Sequence, residues 1–230
     1  FKNVPLKLMK DKDEVRKVGA KITDNQGTTS INAQLDTSKI LSLVFVGAQN
    51  KEIELDSFEA DGFKITTGST AWYSNPGYLA LNFNGAAKAA VGSLDTPTSD
   101  GSVSYTWPGF RPSFLLHLCS YLAAEDSVSA TGNAEAFGVG VVDGTNEYVI
   151  NVHSDDGLGT SRAQSMSSSR MAQSLMATGG TLQNKWAFTS FNATGYTISS
   201  TLTNGTARKF AGLAIETTRN RSFGIGGMGG

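Results

Sequence analysis

One cysteine, two histidines and five prolines in 230 residues remove several of the usual frameworks for function. The lone thiol, Cys119, lies in the apolar run Phe114-Leu115-Leu116-His117-Leu118-Cys119 and has no internal partner. A disulfide framework is therefore excluded, and the residue reads as a small buried hydrophobe. His117 in the same run and His153 at the end of an apolar segment are, with one Cys, too few to suggest zinc. No stretch approaches the roughly 20 apolar residues of a membrane helix, and the Lys- and Asp-rich N-terminal segment has no signal-peptide core. Charge is also scarce, at 17% of residues, which suits a subunit whose surface is partly covered by partners. There is no GxSxG, HExxH or Walker loop, and Phe137-Gly138-Val139-Gly140 leads into more strand instead of a helix, so it is not a dinucleotide fingerprint. No residue is assigned to catalysis, to a cofactor or to a metal, and the chain reads as a non-enzyme.

What the sequence does have is glycine, 26 residues of it, and Ser, Thr and Asn set between short apolar runs, the punctuation of an all-β fold. It also repeats itself. Phe58-Glu59-Ala60-Asp61-Gly62-Phe63-Lys64-Ile65 returns 133 positions later as Phe191-Asn192-Ala193-Thr194-Gly195-Tyr196-Thr197-Ile198. Upstream, Ile53, Leu55 and Ser57 align with Trp186, Phe188 and Ser190; downstream, Leu79-Ala80-Leu81 aligns with Leu213-Ala214-Ile215 after a one-residue gap. Apolar residues alternate on either side of a Gly turn, so each copy reads as a strand, a tight turn and a returning strand with one buried face. The expected fold is all-β, with two related antiparallel sandwich-like modules. Residues 1–21 read as a charged, extended N-terminal arm, 22–92 as a small first module, 93–217 as a larger second module and 218–230 as a flexible Gly-rich tail. Within this plan 84–101 is small and polar and reads as a linker, and 155–181 reads as a long surface loop or one weak helical turn.

Net charge is −1, but it is segregated. Residues 1–21 carry seven Lys/Arg against three Asp/Glu, residues 22–156 five against sixteen, and residues 157–230 seven against one. Solvated faces account for this; so does head-to-tail complementarity between subunits, with basic termini of one lying on the acidic body of another. The contact residues so implied are Lys7, Lys10, Lys12, Arg16 and Lys17 near the start and Arg219, Arg221 and Phe223 near the end. Nucleic acid is a weaker partner, because no basic run is interleaved with aromatics. Trp72 and Tyr73, before Asn75-Pro76-Gly77, are candidate ligand-binding aromatics for a glycan or anchors of a protein interface, against the plainer reading of core packing. Asp155-Asp156-Gly157 fits turn chemistry as well as calcium. A hidden acid pair, Asp155 with Asp143 or Glu147, is the one enzyme reading left. Asn192-Ala193-Thr194 and Asn204-Gly205-Thr206 match the glycosylation pattern.

One further element is Trp107-Pro108-Gly109-Phe110-Arg111-Pro112-Ser113-Phe114, a Gly-Phe-x-Pro that enters an apolar strand. Followed by a Trp strand, Ser-Phe-x-Ala-x-Gly-aromatic and a closing apolar strand, it resembles a recurring type of tailed-bacteriophage structural protein over about residues 93–216, and more faintly over 31–85. The first module lacks Gly-Phe-x-Pro and looks like a trimmed copy. The resemblance implies a virion component, such as a capsid decoration protein, head fibre or tail-fibre module, and it identifies no catalytic residues to carry over; the expected partners are the major capsid protein or copies of itself, with no membrane and no cofactor. Capsid decoration is the first expectation, and a carbohydrate- or receptor-binding module of a tail fibre or adhesin is the alternative.

Overall fold

The computed structural model describes residues 2–9, 15–22, 32–36, 41–45, 48–59, 62–67, 87–120, 122–128, 135–155, 162–170, 172–175, 182–203 and 205–217. Its strands are β1 (Lys2–Met9), β2 (Val15–Ile22), β3 (Asn32–Asp36), β4 (Leu41–Phe45), β5 (Ala48–Glu59), β6 (Gly62–Thr67), β7 (Ala87–Asp95), β8 (Gly101–Tyr105) and β9 (Phe114–Ser120). There follow β10 (Ser127–Val128), β11 (Glu135–Val142), β12 (Glu147–Asp155), β13 (Arg162–Ser168), β14 (Ala172–Leu175), β15 (Leu182–Asn192), β16 (Gly195–Leu202) and β17 (Lys209–Thr217). The fold is all-β, and among the described residues there is no helix. Among the described residues four antiparallel sheets form, with strand orders β1-β2-β3-β10, β4-β5-β6, β13-β12-β11-β9-β17-β7 and β14-β15-β16-β8.

The six-stranded sheet and the β14-β15-β16-β8 sheet face each other as a sandwich, because alternate residues of both are apolar. Leu115, Cys119, Phe210 and Ala214 from one meet Trp186, Tyr196 and Ile198 from the other. Fully burying an aromatic or branched side chain of this size contributes about 1.5–3 kcal/mol. The intervening residues of the six-stranded sheet are apolar too: Leu118, Phe137 and Ala211, with Leu213 beside them, form a second cluster on its opposite face. A sheet that is apolar on both faces needs covering on both. Strand β2 lies near β7, β9, β11 and β17, and in its own sheet it pairs Ala20 with Val4 and Ala33, and Val18 with Leu6 and Leu35.

Strands run through several of these stretches. β1 and β2, over Lys2–Met9 and Val15–Ile22, are hydrogen-bonded to one another along their whole length. The stretch expected to be a linker contains β7, which pairs with β17 from Ala87↔Thr217 to Asp95↔Lys209, so the boundary at residue 93 falls inside a strand. Its small residues have a packing reason. The Trp107 indole lies flat on the sheet over Gly92 and Gly212, where an added Cβ at Gly212 would come within 2.8 Å of the ring. The presumed loop 155–181 holds β13 and β14, an outer strand of each sandwich sheet. Finally β10 pairs with β3, Ser127↔Leu35 and Val128↔Gln34, which ties the second stretch of the chain to the first.

Candidate interaction surface

The repeated segments fold as the same hairpin, β5–β6 and β15–β16. Both break register at the aligned place, between Leu55 and Ser57 in one and between Phe188 and Ser190 in the other. Past the break the pairs again correspond: Ser57↔Lys64, Phe58↔Phe63 and Glu59↔Gly62 against Ser190↔Thr197, Phe191↔Tyr196 and Asn192↔Gly195. An extra residue on one strand, Asp56 or Thr189, makes a β-bulge that raises the local twist. Even the side-chain bond beside it recurs. The Ser57 hydroxyl donates to Glu59 Oε1 at 2.5 Å, and the Ser190 hydroxyl to Asn192 Oδ1 at 3.2 Å.

What the two hairpins meet differs. In the second copy Tyr196 and Ile198 are 0% and 1% exposed, sealed by the six-stranded sheet, and β8 pairs with the outer edge of β16, Tyr196↔Tyr105 and Ile198↔Val103. In the first copy Ile53 and Leu55 are buried at the base, but Phe58 is 50% and Ile65 39% exposed. An apolar face thus runs out of the core into solvent. The opposite face carries Glu54, Asp56, Glu59 and Lys64 where the second copy has Ala187, Thr189, Asn192 and Thr197. Lys64 Nζ lies 2.6 Å from Asp56, and that hydrogen bond raises the lysine's pKa. Those charges were the available signal that the first hairpin stands in water. The sequence did not show that its apolar face is also open.

A second exposed apolar pair, Tyr148 and Ile150, lies on β12, beyond the strands that β2 accompanies. Inside the sandwich sits a polar cluster. His117 Nε2 and the Tyr196 hydroxyl share a 3.2 Å hydrogen bond, Tyr196 stacks on Tyr105 at 5.1 Å, and the Tyr105 hydroxyl donates to the Asp95 carbonyl at 2.8 Å. Burial lowers the His117 pKa to about 3, pushes the Cys119 thiol up to about 12 and raises both tyrosines. Desolvation is the largest cause of every one of these shifts, with the Asp95 carboxylate adding a smaller push on Tyr105, the pattern of an aromatic core and not of a reacting centre.

Of the proposed contact residues, Lys7 stands on β1 directly across from Lys17 on β2, and Arg16 across from Leu8. Lys10, Lys12, Arg219, Arg221, Phe223, Trp72 and Tyr73 lie outside the described residues, as does Asp156. The acid pair does not assemble. Glu147 and Asp155 are the two ends of one nine-residue strand, roughly 27 Å apart at about 3.4 Å per residue, far beyond a glycosidase spacing. Asp143 is used by its own turn, accepting from the Thr145 and Asn146 amides at 2.9 and 2.7 Å. Glu147 accepts the Phe188 amide at 2.6 Å, pinning the bulge of β15 to the facing sheet. The Asn192 side-chain amide donates to the Thr197 hydroxyl at 2.8 Å. Among the described residues no three His, Cys, Asp or Glu side chains gather as a metal site. Comparison of the chain with protein-family models, with curated proteins and with solved structures finds no match.

Proposed function

We infer that this chain is a non-enzymatic structural component of a tailed-phage particle that decorates or stabilises the capsid through contacts between subunits. The observation that carries the reading is the duplicated hairpin, closed into a sandwich in one copy and presented with an open apolar face in the other. A module duplicated in this way is suited to packing against neighbours, and an exposed apolar patch rimmed by charge marks an interaction site. The Gly-Phe-x-Pro entry and the repeat motif supply the resemblance to virion proteins, and the segregation of basic ends from an acidic middle supplies complementary surfaces for lateral contacts.

The test is the copy number of the chain in purified particles, measured by quantitative mass spectrometry against the major capsid protein. A simple fixed ratio to the capsid subunit is the expected result. A handful of copies per particle would move the protein to the tail or a vertex and overturn capsid decoration; absence from particles would overturn the virion reading altogether.

A further inference from the structure

We propose that β6 is a strand-addition edge through which two copies of this chain join, their β6 strands antiparallel about a two-fold axis at Ile65. The internal duplication shows what this hairpin looks like when its edge is satisfied. On the edge of β16 the chain lays β8, an extended segment with Val103 and Tyr105 at alternate positions. The turn glycine records the contact, since a Cβ on Gly195 would run into the carbonyl of Tyr105. At the aligned Gly62 a Cβ would meet nothing within 4 Å. Among the described residues β6 ends its sheet, and Ile65 is 39% exposed where the aligned Ile198 is 1% exposed. Among the described residues, the neighbour that completes the second copy therefore has no counterpart beside Gly62.

The sequence of β6 suits a second β6 as that neighbour. An antiparallel pairing centred on Ile65 sets Ile65 against its counterpart, Phe63 against Thr67 and Lys64 against Thr66. No like charges then fall opposite one another, which would be unfavourable. The only charge on β6, Lys64, is already paired with Asp56 on its own hairpin. Because side chains alternate across a strand, the same register joins the two apolar faces, each carrying Phe58 and Ile65, into one continuous surface. The interface is isologous, so the dimer closes, and main-chain pairing supplies affinity as in other strand additions. Dimerisation also removes an exposed apolar edge that would otherwise invite aggregation. None of this depends on where the assembly is used, and it adds a contact distinct from the charged ends.

Sedimentation equilibrium of the full chain, from micromolar to the highest soluble concentration, tests the proposal. The wild type is expected to dimerise. Ile65→Lys and Phe58→Ser are expected to raise the dissociation constant about tenfold or more with unchanged circular dichroism. Should Ile65→Lys fail to fold, mild oxidation of I65C decides. With Cys119 buried, I65C should give a disulfide-linked dimer on non-reducing gels, and T66C, whose counterpart sits opposite Lys64, should give far less. A monomeric wild type, dimerisation unaffected by both substitutions, or equal cross-linking of I65C and T66C would overturn the proposal.

Discussion

Acidification should unfold this protein through His117 well before its carboxylates are exhausted. The imidazole is 1% exposed, and burial lowers its pKa from 6.5 to about 3. In the unfolded chain it takes up a proton below pH 6.5, whereas in the native sandwich it does not until about pH 3. The unfolded state therefore binds more protons throughout that window, and stability rises with pH across it. Linkage gives a loss of about 2 kcal/mol between pH 7 and 5, growing to about 5 kcal/mol below pH 3, from about 1.4 kcal/mol per pKa unit. The assay is urea unfolding at pH 7, 6 and 5 for the wild type and for His117→Gln, a side chain of similar size that does not titrate and can still bond the Tyr196 hydroxyl. His153 and every carboxylate are common to both proteins, so the difference between the two pH profiles isolates His117. The wild type should lose about 2 kcal/mol more than the variant from pH 7 to 5. Parallel profiles, within about 0.5 kcal/mol of each other, would refute the claim that His117 is held neutral.

The duplicated hairpins give a matched pair of substitutions. Gly195→Ala drives a methyl into the Tyr105 carbonyl and should cost more than about 2 kcal/mol, while Gly62→Ala, with open space around it, should stay within about 0.5 kcal/mol, both read by thermal unfolding. Glu147→Ala removes the acceptor of the Phe188 amide and should cost about 1–3 kcal/mol, with Glu147→Gln recovering much of it. Cys119, buried and with its thiol pKa pushed up to about 12, should resist iodoacetamide at pH 8 in the native protein and react fully in denaturant, as followed by mass spectrometry.

The strands that the sequence announced are those whose alternation uses large residues. Trp186, Phe188, Tyr196 and Ile198 mark β15 and β16 plainly, and the same spacing finds β5 and β6. The strand β7 was hidden because its inner face is made of Ala90, Gly92 and Leu94, small where the Trp107 ring lies on it. A floor for an indole and a linker use the same residues, and the covering ring comes from a segment that is not adjacent in sequence. β13 was hidden for a related reason: Ser165 and Ser167 alternate with Gln164 and Met166, which shows no apolar period. The bulges of the two hairpins were invisible as such, though the alignment that revealed the repeat had already placed Asp56 opposite Thr189. The candidate site was less legible than the fold. Exposure of Phe58 and Ile65 depends on which neighbours a hairpin lacks, and a motif shared by both copies carries no record of that.

The pairing of β7 with β17 sets a timetable for synthesis. β7 emerges from the ribosome long before β17, yet both its register and the closure of its sheet depend on Lys209–Thr217. The outer edge of strand β3, whose other edge pairs with β2, likewise waits for β10. Pairings between strands so distant in sequence close slowly, and until they close an apolar sheet is open on two faces, a state in which chains aggregate. The nascent chain would then be most vulnerable just before β17 emerges, and a variant that lacks β17 should be insoluble instead of a smaller soluble domain.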